Sequence, residues 1–141
     1  MSGVTEKYIQ YQNLQEEWTF IKEKAREKWE EIKEAARKGH TDLANQFTQE
    51  ADAFVKTLKE LDTQLKETAY EKDKASLELK KYKLGIFQRT DQEEELENEI
   101  YLYKTRIEEH EAGERPFEQD TKQLIASFKE EQEELFKQLQ E

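Results

Sequence analysis

The chain contains no cysteine, a single proline and four glycines in 141 residues. The missing thiols exclude a disulfide framework, a Cys-ligated zinc domain and a thiol enzyme. Scarce Gly and Pro exclude a sandwich or barrel, whose many short strands need turn residues. No apolar run approaches the roughly 18 residues of a membrane span, and Met1 to Gln10 lacks the hydrophobic core of a secretory signal. None of Asn13, Asn45 and Asn98 opens an Asn-x-Ser/Thr site. A soluble, cytoplasmic protein without membrane insertion is expected.

Apolar residues are also few, at 34%, whereas charged residues reach 40%. Globular averages are roughly 45 to 50% and 25%. Two Trp, six Tyr and seven Phe oppose disorder, because disordered chains of such charge are poor in large apolar side chains. The composition therefore predicts an ordered all-α protein.

The net charge of −11 is unevenly placed. Met1 to Thr41 is neutral and Asp42 to Leu84 carries −1, so the 57 residues from Gly85 to Glu141 carry −10. Such a surface repels phosphates and anionic headgroups, which argues against direct nucleic-acid or membrane binding and suits a basic protein partner. Glu93, Glu94, Glu95, Glu97 and Glu99 form its densest part. They are either a candidate acidic partner surface or a solvated helix face.

Three helical segments follow from the periodicity. Val4, Tyr11, Trp18, Ala25 and Ile32 recur every seven residues, with Leu14, Ile21 and Ala35 between them, predicting helix A over about 4–38. Gly39 supplies a left-handed cap, and Thr41 or Asp42 can open the next helix after an antiparallel turn. A second seam alternates three- and four-residue steps from Phe47 to His110 across nine heptads, predicting helix B over about 42–111. Gly85 and the capping-box pattern of Thr90 and Glu93 mark a possible break at 85–90. The unbroken heptad phase favours one helix of about 105 Å at 1.5 Å per residue. Pro116 would open helix C, over about 116–141, on Phe117, Leu124, Phe128, Leu135 and Leu139. It reaches Glu141 without a C-cap, so the last turn frays or the chain continues.

The fold expected from these lengths is an elongated antiparallel helical bundle or coiled coil in one domain, a long central helix flanked by two shorter ones that fold back over its two halves. Opposite the main seam, Tyr70, Leu77 and Leu84 recur at seven-residue spacing with Phe87 alongside. This stripe is a candidate oligomer interface for an antiparallel homodimer. Alternatively its members are scattered surface residues, or lie under helix A of a compact four-helix monomer.

Constellations for chemistry are missing. Neither His40 nor His110 follows a Glu at the three-residue spacing of a di-iron helix, since Arg37 and Ile107 occupy those positions. Glu108, Glu109, His110 and Glu111 lack zinc spacing and read as a solvated helix end. No phosphate-binding loop, calcium loop or nucleophile beside a base is present. No catalytic, cofactor-binding or metal residue is expected. Trp18 within a first amphipathic helix, followed by long antiparallel helices, resembles spectrin-type repeats. Helix B as predicted is twice the length of a repeat helix, and nothing is carried over from that likeness. The expected function is that of a non-enzymatic structural or adaptor protein acting through helix faces, as a homodimer or as a subunit of a larger assembly. The alternative is an acidic-surface module, either a nucleic-acid mimic or a cap for a basic protein.

Overall fold

The computed structural model describes residues 2–140, apart from the side chains of Ser2, Leu139 and Gln140. Leu139, expected on the last seam, thus lies outside the described side chains. Four helices follow one another: α1 (Ser2–Arg37), α2 (Thr41–Ile86), α3 (Glu93–Ala112) and α4 (Thr121–Gln140). No strand occurs among the described residues.

Two of the three turns are closed by glycine. At the end of α1, Gly39 has φ +78°, its N–H donates to the Ala36 carbonyl, and the His40 N–H donates to Ala35. At the end of α3, Gly113 has φ +72°, donating to His110 while Glu114 donates to Glu109. Both are paired 6→1 and 5→2 bonds that satisfy the last carbonyls of a helix, and only glycine enters that backbone region without a Cβ penalty.

The single long helix expected over 42–111 is corrected: the chain leaves the helix after Ile86 and re-enters one at Glu93. Local side-chain bonding explains why. The Thr90 hydroxyl donates to the Phe87 carbonyl and accepts the Gln92 N–H, while the Glu93 carboxylate accepts the Arg89 N–H. Arg89 turns the chain with φ +64°, a left-handed conformation unusual outside glycine. Gly85 itself stays helical and has no positive φ. Heptad phase therefore survives a true interruption.

Helix C also starts later than Pro116. Asp120 caps α4, its carboxylate accepting the Gln123 N–H at 3.0 Å and its carbonyl accepting from Leu124. An aspartate at that position satisfies free donors and meets the positive end of the helix dipole.

The chain forms two compact units, each assembled from two separate stretches: residues 1–14 with 64–117, and 15–63 with 118–141. In the second unit, Trp18 meets Thr121, Trp29 stacks on Phe128 at 6.4 Å and Lys33 approaches Glu131. Residue numbers rise together along both helices, so α4 runs parallel to α1. This corrects the expectation that the last helix folds back over 86–111. The core there is Trp18, Ala25, Trp29, Ile32, Leu58, Leu61, Ile125 and Phe128. Lys28 reaches across to α2, where it pairs with Glu50 at 2.7 Å and covers the Phe47 ring. In the first unit, α3 folds back antiparallel on α2, with Lys80 against Glu99 and Asp73 against His110. The start of α1 joins through Lys7 to Glu71 and through Tyr8 and Tyr11 against Lys72.

Candidate functional site

The first unit holds the most concentrated polar chemistry. The predicted seam of α2 runs through Lys72, Ala75 and Leu79, but burial falls on Ala69, Asp73, Ser76 and Leu77, because α3 packs on that neighbouring face. Asp73 thereby becomes an interior carboxylate. His110, in the last turn of α3, places Nε2 at 2.7 Å from it, with the two side chains only 7% and 5% exposed. Burial of this kind is tolerated only with a partner, and each group here is the other's.

Aromatic side chains enclose the pair. The Tyr70 ring meets the imidazole edge-on at 5.7 Å, and its hydroxyl donates to the Glu111 carboxylate at 2.7 Å. The Phe117 ring lies 6.0 Å from the imidazole, tilted against it, and carries the Lys66 ammonium over its face. Arg115 donates to Glu109 at 3.0 Å, fastening the chain just beyond α3. The solvated helix end expected at Glu108 to Glu111 is thus corrected for His110, which points inward. The signal was faint: Asp73 lies between Ala69 and Ser76, two small residues spaced for a close helix approach. Chemically the arrangement is an acid and an imidazole locked to each other. Among the described residues no group of three or more His, Asp or Glu could hold a metal.

The candidate oligomer stripe lies partly inside the single chain. Leu77 is 9% exposed within the single chain, while Tyr70, Leu84 and Phe87 are half-buried. The physical reason is the break after Ile86, which returns α3 onto the face of α2 that carries Leu77 and commits the Tyr70 hydroxyl to Glu111.

Of the acidic candidates, two are occupied. Glu93 caps the loop through the Arg89 N–H, and Glu99 pairs with Lys80 at 2.7 Å. Hydrogen bonding to Glu99 raises the Lys80 pKa above its ordinary value, more than partial burial lowers it. Glu94, Glu95 and Glu97 remain exposed. Steps of three, four and seven residues place Glu94, Glu97, Tyr101 and Glu108 on one outward stripe of α3, where Tyr101 is 73% exposed. On α2, Tyr82 and Ile86, one turn apart, are 59% and 57% exposed. These three apolar side chains were predicted neither as surface nor as site.

The second unit contributes a polar groove between α1 and α4. Trp18 forms its floor, donating its indole N–H to the buried Thr121 hydroxyl at 2.9 Å, and Lys22, Arg26, Gln123 and Ser127 stand on its walls.

No family model, curated protein or solved structure matches this chain. None of the described helices is long and apolar enough to cross a membrane.

Proposed function

We propose that the protein is a non-enzymatic structural or adaptor protein that binds protein partners on the outward faces of its helices. The observation that carries this reading is the set of large apolar side chains held outward on regular helix: Tyr82, Ile86 and Tyr101 in the first unit, Phe20 and Phe136 in the second. Single exposed apolar residues are ordinary, but an aromatic held outward on a rigid helix suits an anchor residue. Affinity enrichment from cells with the wild-type chain and with Tyr101→Lys, Phe20→Lys and Phe136→Lys tests it. Partners retained by the wild type and lost with one variant support the reading. Identical partner sets for all four baits overturn it.

A second reading, an acidic-surface module for a basic protein, draws on the α3 stripe of Glu94, Glu97 and Glu108 around Tyr101. Binding of that kind weakens steeply with salt. Capture of a basic partner that is indifferent to salt counts against it.

A further inference from the structure

The polar groove of the second unit follows α1 from Trp18 to Arg26, about 12 Å of helix, with the start of α4 as its other wall. Its volume of about 490 Å³ is that of a ligand cleft. The two helices run parallel, with Trp18 level with Thr121 and Trp29 level with Phe128, so the groove has two unlike ends. Glu118, Gln119 and Asp120 gather at the Trp18 end, whereas Lys22 and Arg26, one turn apart, extend toward the other.

These opposite charges do not close on one another. Lys22 and Arg26 have no ion pair among the described residues, although two carboxylates line the same groove. The Lys22 ammonium lies instead 5.3 Å from the centre of the Trp18 ring. Asp120 is occupied by the Gln123 N–H, and Glu118 has no ion pair either. Gln119 adds an unmet acceptor: the residue is only 9% exposed, and its side-chain Oε1 has no hydrogen-bond donor among the described residues. A buried carbonyl oxygen in that state calls for an N–H.

The groove thus asks for an anion at one end and for donors at the other. A simple anion answers Lys22 and Arg26 but leaves Gln119 and Glu118 unmet, and a polyamine is repelled by the two cations. A peptide that ends in a free carboxylate carries both kinds of group, because backbone N–H donors lie upstream of the anion. At about 3.3 Å per extended residue, the last three or four residues span the groove. We propose that this groove binds the free C terminus of an extended peptide, with the carboxylate on Lys22 and Arg26, a backbone N–H on Gln119 and a basic side chain upstream at Glu118. The proposal adds a site to the helix-face reading without using the exposed aromatic side chains on which that reading depends.

Heteronuclear NMR titration of the full chain tests it, with the tetrapeptide acetyl-Ala-Lys-Ala-Ala as free acid, the same peptide as C-terminal amide, and free lysine. The acid is expected to shift the Trp18 indole N–H and the Gln119 side-chain amide saturably, and to bind about tenfold or more tightly than the amide. Lys22→Gln with Arg26→Gln, checked for helicity by circular dichroism, should bring the acid down to the level of the amide and leave the amide unchanged. Gln119→Leu, which removes the acceptor at similar size, should weaken acid and amide alike by about fivefold. No saturable shift with the acid, equal binding of acid and amide, or an acid preference that survives the double charge variant overturns the proposal. Lysine binding as tightly as the peptide acid overturns it as well, by assigning the groove to a free amino acid. None of these outcomes touches the helix-face reading, which stands or falls on partner enrichment.

Discussion

The imidazole of His110 sits 2.7 Å from the carboxylate of Asp73, fastening the last turn of α3 to the middle of α2 inside the first unit. Removing one partner of a buried pair strands the other in an apolar setting and costs about 3 to 5 kcal/mol. Asp73→Ala and His110→Ala should each lower stability by a large part of that amount in urea melts. The double variant should cost well below the sum of the two, because the stranded group is gone. Additive losses would mean that the two side chains are energetically independent despite their separation.

Gly85 and Arg89 invite opposite substitutions. Gly85 is helical, with nothing within 4 Å of where a Cβ would stand, so Gly85→Ala should stabilise by about 0.4 to 1 kcal/mol. Arg89 bears the left-handed φ of +64°. Arg89→Gly relieves a strain of about 1 to 2 kcal/mol and adds unfolded-state entropy, giving a net stabilisation below about 1 kcal/mol. Thermal melts decide both, and a destabilised Gly85→Ala would place the chain's turn at the glycine instead.

The two tryptophans should respond unequally to truncation. Trp18 donates to Thr121, whereas the buried indole N–H of Trp29 has no protein acceptor among the described residues. Both lose similar volume on replacement by Phe. Trp18→Phe should therefore exceed Trp29→Phe in cost by about 1 kcal/mol, the net worth of the lost hydrogen bond. Thr121→Val should reproduce most of that excess without altering the ring. Equal costs for the two tryptophan variants would show that the Trp18 bond contributes nothing net.

Two lysines set an alkaline limit. Lys28, hydrogen-bonded by Glu31 and Glu50, and Lys80, hydrogen-bonded by Glu99, have pKa values raised above their ordinary 10.5. A group that binds its proton more tightly when folded contributes stability in full below its unfolded pKa, and loses it as the pH rises through the folded one. Lys80→Met should cost about 1 kcal/mol at neutral pH. The gap in melting temperature from the wild type should begin to narrow only above pH 10.5 and close as the pH passes the raised pKa of the folded state. A gap that never narrows on the alkaline side would remove the ion pair as its cause.

Periodicity made the helices legible, and glycine made their ends so. Trp18, Ala25 and Ile32 lie in the core where their seven-residue spacing put them, and Gly39 caps α1 as its position suggests. What periodicity could not convey was interruption. Leu79, Tyr82 and Ile86 keep phase with Leu96 and Ile100 across the loop, yet Thr90, Arg89 and Glu93 supply enough local bonding to turn the chain between them. That one turn moved α3 onto α2 and covered the Leu77 stripe. The buried pair escaped notice for a related reason: Asp73 and His110 are 37 residues apart, and only the returning helix gives either a reason to leave solvent.

Each unit draws on two stretches of chain that are distant in sequence, and α1 and α2 pass through both. Synthesis on the ribosome delivers these stretches out of step with the units they build. The turn at Gly39 lets α1 and α2 pair early, but residues 2–14 wait for α3 and residues 15–37 wait still longer for α4. A nascent chain halted in the loop at 87–92 would carry Trp18, Trp29 and Asp73 with their final partners unmade. Nascent chains of this protein should therefore engage chaperones until α4 has cleared the exit tunnel, and their burial of the two indoles should be abrupt and late.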